Sequence, residues 1–252
     1  MHDSSIAKLP PTVYFSHTQR TLTIFDAYPK ALFHFLILPR LSTTDNDVGQ
    51  HDPNASSSAS ELTSLRTLLR RRTRAEETLR SLADEAARLR EEIEREMRAR
   101  YGFVWDLWIG FHAVPSMVHL HLHVISSDLT APGLKTKRHY NSFSPCTSFF
   151  VPLSEVRAWF AAPQDEFVKI ARLTPTEYEP RLKDALKCFR CGETLKNMPT
   201  LKNHLQEEFD VLRKQDVGKL KRKREAESAS GSHAVPHRTE QAKKTARLSK
   251  SP

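Results

Sequence analysis

Apolar positions recur every second residue over several short stretches of the chain and every third or fourth residue over one long one. Thr21-Leu-Thr-Ile-Phe25 alternates as a half-buried strand does, and Asp26-Ala-Tyr-Pro-Lys30 breaks it with turn residues. Leu32 to Leu38 is apolar except for His34 and ends at Pro39 and Arg40, which predicts a central strand. A lone histidine in such a strand is ordinarily a satisfied core residue; Lys30 at its mouth adds a phosphate-facing reading. Residues 41–60 are rich in Ser, Thr, Asp and Asn and predict a loop insertion. Glu61 to Arg100 predicts helix, with Leu79, Leu82, Ala86, Leu89, Ile93 and Met97 as one apolar stripe. Its many arginines predict ion pairs with nearby glutamates on a solvated face rather than a nucleic-acid stripe.

Strand alternation then returns, with Trp105, Leu107, Ile109 and Phe111 on one face, and the chain passes through His112 to Met117 into His119-Leu-His-Leu-His123, Val124 and Ile125. An extended chain sends successive side chains to opposite faces, so Leu120, Leu122 and Val124 are expected in the core and His119, His121 and His123 along one exposed edge. Histidine is a weak strand former, and a strand needing only a wet face would carry Thr, Lys or Glu. Catalysis therefore ranks ahead of a surface metal site, and both rank ahead of structural filler. His112 and Ser116 are expected beside the triplet, across a tight connection.

Beyond Asp128, Lys135, Lys137, Arg138 and His139 stand together without an acidic residue, either as a polyanion site or as a solvated loop. Leu153 to Phe160 and Thr176 to Lys187 predict helices flanking a linker. Cys188-x2-Cys191, followed by His204 and Glu208 one helical turn apart, has zinc-finger spacing with a carboxylate as fourth ligand. Four protein donors leave no open coordination position, so this zinc is expected to be structural; Glu207 points off the ligand face.

Composition changes the picture in three places. At 252 residues and 38% hydrophobic, some of the chain is expected to be unpacked. The net charge of +9 resides mostly beyond Gly218, where ten Lys/Arg face three Glu, so a basic surface on the body must come from local clustering. The run Lys219-Leu-Lys-Arg-Lys-Arg224 fits a nuclear localisation signal or phosphate contact, which gives the expectation of a nuclear protein. Three cysteines, two of them at metal spacing, fit a reducing compartment, and neither a signal-type run nor a membrane-length apolar segment is present in the sequence, so a soluble intracellular protein is expected.

His119 to Ile125 meets the His-φ-His-φ-His-φ-φ signature, and the sequence resembles the histidine-triad (HIT) superfamily. More narrowly it is similar to the branch that hydrolyses adenylated DNA ends. The blocks Tyr28-Pro-Lys-Ala31, Phe33 to Pro39, Phe111 to Met117, His119 to Asp128 and Leu134 to Phe143 occur in that branch's order, and the zinc module follows where the branch has it. The resemblance implies an α+β HIT-type antiparallel sheet flanked by helices, a zinc finger and a disordered basic tail. Its domains would be a flexible lead at 1–12, a catalytic domain at 13–160, a linker helix and C2HE finger at 161–217 and the tail at 218–252. It implies DNA with 5′-AMP ends as partner, RNA–DNA junctions as a further candidate, no membrane, and zinc in the finger without a catalytic metal. By the same resemblance His121 is the nucleophile, His123 and Ser116 hold phosphate oxygens, His112 protonates the leaving group and His119 supports the row. Lys30, His34, Lys135, Lys137 and His139 would contact nucleotide or DNA, and Asp128 would be structural. Rival readings are a HIT hydrolase of free dinucleotides or nucleoside phosphoramidates, and a zinc-finger nucleic-acid-binding protein with an inactive HIT fold.

Overall fold

A computed structural model describes residues 6–41 and 59–231. Six strands form one antiparallel sheet: β1 (Tyr14–His17), β2 (Thr21–Phe25), β3 (His34–Pro39), β4 (Leu107–His112), β5 (Leu122–Ser126) and β6 (Phe150–Pro152), in the order β1-β2-β3-β5-β4-β6. The apolar Leu32–Leu38 run supplies a central strand, as its lack of a wet face requires. The register pairs His34 with Ile125 and Leu36 with His123.

One face of the sheet meets a helical layer: α1 (Leu65–Leu69) and the thirty-residue α2 (Arg72–Tyr101). Phe35, Ile37, Leu107, Phe111, Leu122 and Val124 interlock with Leu79, Leu82, Ala86, Leu89, Ile93 and Met97. The stripe read from the sequence is thus the one that is buried. The opposite charged face is laced by Arg90–Glu94, Arg98–Glu94 and Arg100–Glu96 pairs, each at i,i+4. Gly102 ends α2 in the left-handed conformation at φ 79°, donating its N–H to the Arg98 carbonyl.

The other sheet face carries α3 (Lys137–Phe143) and the C-terminal module. After β6 the chain continues through α4 (Leu153–Ala158), α5 (Gln164–Ile170) and the single-turn α6 (Pro175–Tyr178), with Leu153, Val156 and Phe167 joining the core shared with α2. The module itself consists of β7 (Leu186–Lys187), β8 (Thr194–Leu195) and α7 (Met198–Gly231). No helix among the described residues is long and apolar enough to cross a membrane.

Several expectations change. The helix expected from Glu61 is broken by Ser64, which caps α1 by accepting from Thr67 N, and again at Arg71, the N-cap of α2. Thr176 to Lys187 is not one helix: α6 gives way to a 3-10 turn over Glu179–Lys183 and then to β7, where Pro180 interrupts the pattern. The tail expected to be disordered from 218 stays helical to Gly231, because Lys, Arg, Glu and Ala are good helix formers once α7 is nucleated. The lead is anchored by Ile6, only 4% exposed. Residues 1–5, 42–58 and 232–252, with most of the loop insertion and the rest of the tail, lie outside the described residues.

Candidate active site and metal centre

The histidine segment does not form an exposed row. The strand begins only at Leu122, and His121 and His123 are 5% and 4% exposed, with His119 half-buried. Alternation does put Leu120, Leu122 and Val124 in the core; the opposite face is roofed by α3 rather than open to water. His123 has the His34, His112, His121 and Phe143 rings around it at centroid distances of 5.3, 4.4, 4.8 and 5.1 Å. Gly110 makes room for this cluster: a Cβ there would collide with the Val151 carbonyl and the Phe150 ring, and Phe150 packs against Phe143 at 5.8 Å.

Hydrogen bonds fix the tautomers. Lys30 N donates to His34 Nδ1 at 3.3 Å, so neutral His34 carries its proton on Nε2 and donates it to His123 Nδ1 at 3.0 Å. His123 is then protonated on Nε2, a buried atom without a hydrogen-bond partner, as is Nε2 of His112. Buried polar atoms are normally paired, so two orphans in one pocket mark a place where a ligand supplies the partner. His121 Nδ1 lies 2.7 Å from the His119 carbonyl oxygen, which can only accept; the proton sits on Nδ1 and the Nε2 lone pair is free. His119 Nε2 donates in turn to the Pro39 carbonyl at 3.2 Å.

Burial lowers the pKa of all four clustered imidazoles. His34 falls to about 4, with Lys30 and His121 adding to the effect and Asp26 opposing it. His112 falls to about 3, with His121 and His34 as further causes, and His121 and His123 are lowered first by the same loss of solvent. At neutral pH the cluster is uncharged. An unfolded chain takes up protons near pH 6.5 that the folded one refuses until about pH 4 at His34, so stability is full above 6.5 and falls as pH drops towards 4. The loss from His34 alone is expected to be about 2 kcal/mol at pH 5. Urea denaturation at pH 7.5 and 5.0 checks this; equal midpoints would refute the buried neutral cluster.

The sequence-expected basic residues converge from a second direction. A Cβ on Gly133 would strike the Pro29 carbonyl, so the 131–134 turn lies directly on the 28–30 loop and brings His139 towards Lys30. Burial and Lys30 lower the pKa of His139, whose Nδ1 accepts from Lys135 N at 3.3 Å. Lys30 Nζ bonds the Tyr28 carbonyl, Lys135 is exposed and Lys137 half-buried. Ser116 is exposed on the connecting loop and makes no hydrogen bond among the described residues, while the adjacent Pro115 lines a crevice with His112, His119 and His121. Met117 and Val118, which follow Ser116, are exposed as well.

Sequence reasoning missed how much Asp128 does, and missed Phe143. Asp128, 1% exposed, accepts from Leu32 N at 2.9 Å, Trp105 Nε1 at 3.1 Å, Ser126 Oγ at 2.5 Å and the Thr130 backbone and hydroxyl at 3.2 and 2.9 Å. It ties the Lys30–His34 loop to the sheet, and the next residue, Leu129, is held at φ 49° with its side chain fully buried. Asp128→Ala strands five donors and is expected to cost about 3–5 kcal/mol, read from urea denaturation. A loss below 1 kcal/mol would show that the loop is held by other contacts.

Cys188, Cys191, His204 and Glu208 present donor atoms all within 4.8 Å of one another. Cys191 Sγ and Glu208 Oε1 lie 3.3 and 3.2 Å from His204 Nε2, and Glu193 Oε2 lies 3.6 Å from His204 Nδ1 as the outer carboxylate that orients a ligating imidazole. Arg190 N donates to Cys188 Sγ at 3.4 Å, and Gly192 turns the chain at φ 79°. Two thiols, an imidazole and a carboxylate in this arrangement fit tetrahedral zinc.

Residues 146–211 match a family described as C2HE / C2H2 / C2HC zinc-binding finger, and residues 58–139 one described as scavenger mRNA decapping enzyme C-term binding. Aprataxin of Gallus gallus is 30% identical over 201 residues, covering 79% of this chain and 52% of that protein. An aprataxin-like protein of Schizosaccharomyces pombe is 40% identical over 103 residues, 40% of this chain and 38% of that one. The crystal structure of aprataxin ortholog Hnt3 in complex with DNA superposes with a TM-score of 0.57 at 27% identity, covering 85% of this chain and 94% of that one. The chain spans about half the length of the Gallus gallus relative. A buried imidazole cluster on an antiparallel sheet, a fused C2HE-type metal centre and these likenesses together show that the chain belongs with the aprataxin-like proteins of the histidine-triad superfamily.

Proposed function

We propose that this protein removes AMP from 5′-adenylated DNA ends through an adenylyl-histidine intermediate. The observation that carries the reading is the His121 tautomer: Nδ1–H is spent on the His119 carbonyl, leaving a neutral Nε2 lone pair at the pocket. A neutral imidazole nitrogen can attack the AMP phosphorus; the P–O bond to the DNA 5′-phosphate breaks, and the electron pair leaves on that phosphate. Water then attacks the same phosphorus, breaking the P–N bond, and the electron pair returns to His121 as AMP departs. His123 and His112, each with an unpartnered buried Nε2, would donate to the non-bridging oxygens on which charge builds. The leaving group is a phosphate with a second pKa near 6 and needs little protonation at pH 7. His112, neutral at that pH, therefore serves as a hydrogen-bond donor rather than as a standing imidazolium acid. Ser116, exposed on the loop next to Pro115, would hold a phosphate oxygen. Lys30, Lys135, Lys137 and His139 would form the wall beside the nucleotide, with His34 holding the His123 tautomer behind it, and the finger, holding structural zinc on Cys188, Cys191, His204 and Glu208, would extend the DNA surface. The Lys219–Arg224 run supports a nuclear address.

The test is a nicked duplex carrying a labelled 5′-AMP. Expected are release of labelled AMP, a 5′-phosphate nick and, on rapid alkaline quench, label bound to the protein. Faster cleavage of a free dinucleotide polyphosphate than of the nicked duplex would overturn the DNA reading, and label transfer to no residue would overturn the covalent one.

A further inference from the structure

The arginines at the start of the helical layer are not all paired. Glu61 reaches Arg71 at 3.5 Å and Arg74 at 3.6 Å, and Glu85 reaches Arg88 at 2.5 Å. Arg66 and Arg70 have no acidic partner among the described residues. They stand four apart, hence on one face of a helical turn, while Leu65, Leu68 and Leu69 on the other side enter the core. The place of this turn is fixed against the imidazole pocket. The Leu62 carbonyl accepts from Leu120 N at 2.6 Å, and Ser64 and Leu65 line a crevice with His112, Pro115, His119 and His121. Two unpaired guanidinium groups thus sit on a rigid turn at the His119 end of the histidine segment. The basic residues Lys135, Lys137 and Arg138 belong to the α3 side, at the His123 end, where Phe143 packs.

We infer that the Arg66–Arg70 face of α1 is a phosphodiester-binding surface that holds the nucleic-acid backbone beside the histidine pocket, separately from the α3 and finger side. The inference rests on the proposed action at nucleic-acid ends. Leaving two cations unpaired while their neighbours share one glutamate keeps a local positive potential on a body that is close to neutral. A guanidinium pair of this spacing suits phosphate oxygens, which arginine binds through its planar fork. The surface reads no base, so it would act on duplex of any sequence.

The double variant Arg66→Ala/Arg70→Ala keeps good helix formers on an exposed face and is expected to fold as the parent does. With 5′-adenylated nicked duplex in 0.15 M salt, KM is expected to rise about 10- to 30-fold, and the slope of log KM against log salt to fall by about 1.8, for two lost phosphate contacts. Expected kcat stays within about twofold, and hydrolysis of free adenosine 5′-phosphoramidate does not change, since neither arginine touches the imidazoles. Lysine at both positions is expected to restore most of the salt slope. An unchanged KM and slope for the duplex would overturn the inference. So would an equal loss on the small substrate, which would place the effect in the pocket instead. Should the parent cleave neither substrate, the function reading fails by itself. Fluorescence anisotropy with an unadenylated nicked duplex then decides the surface: weaker binding by the double variant upholds it, and equal binding ends it.

Discussion

Replacing His121 by alanine is expected to lower kcat for AMP removal from a 5′-adenylated nick by about ten-thousand-fold or more, with KM nearly unchanged. The size follows from the role. A group that forms the covalent bond acts only in reaching the transition state, and removing a nucleophile from a working constellation leaves only positioning and charge stabilisation behind. At room temperature that factor corresponds to about 5.5 kcal/mol of barrier. Stability changes much less, because the variant forfeits one hydrogen bond to the His119 carbonyl, worth about 1 kcal/mol, and a small buried ring. His121→Asn, which can still donate to that carbonyl, keeps the local hydrogen bond without the nucleophile and should be as inactive as alanine. Either variant retaining a tenth of the parent rate would remove His121 from the chemistry. The acid limb of kcat/KM offers an independent reading: burial lowers the His121 pKa, so in the free enzyme the limb is expected below pH 6.5.

The sequence was readable where one physical requirement dominated. The α2 stripe repeats at threes and fours because only that spacing puts Leu79, Leu82, Ala86, Leu89, Ile93 and Met97 on one face, and it is the face that is buried. Cys188, Cys191, His204 and Glu208 were legible because ligand spacing is a geometric demand of the ion, and the four donors do converge. What periodicity could not convey was which side of a strand is covered from afar. The alternation of His119 to His123 separates two faces correctly, but the imidazoles are buried by Phe143 and Phe150, which arrive from later in the chain and over a glycine whose missing Cβ admits the ring. Ser116 was expected beside the triplet from proximity along the chain, and it lies exposed on that loop next to Pro115, which lines the crevice with His112, His119 and His121. The arginines of the helical region were read as one solvated face; Arg71, Arg74, Arg88, Arg90, Arg98 and Arg100 are ion-paired, whereas Arg66 and Arg70, on the turn beside the histidine segment, have no acidic partner among the described residues.

Stripping zinc with a chelator is expected to unfold the C-terminal module and, with it, to slow the chemistry at a site built from other elements. Two two-residue strands and a helix face enclose Leu186, Leu195, Leu201 and Leu205, too little apolar surface to hold a fold of this size without a cross-link. Structural zinc in such modules contributes on the order of 10 kcal/mol of folding free energy. The module is fastened to α3 by Tyr140, whose hydroxyl donates to the Lys187 carbonyl at 2.6 Å and accepts from Phe189 N at 3.2 Å. Asn141 Nδ2 adds bonds to the Leu182 and Asp184 carbonyls at 3.2 and 2.9 Å, and Phe189 packs edge-on to Trp108 at 4.8 Å. Phe143, one turn further along α3, is the roof over His34, His112 and His123. Freed of the module, α3 loses those fastenings and the roof loses its fixed height. The predicted outcome is release of one zinc per chain, loss of a separate thermal transition and a fall in kcat of about 10- to 100-fold, a size typical of lost support around a site. The fall should extend to free adenosine 5′-phosphoramidate, which is too small to use the module as a binding surface. Cys188→Ser should reproduce it. If chelation releases zinc but small-substrate turnover stays at the parent rate, the module binds nucleic acid without shaping the pocket, and α3 is held by the sheet alone.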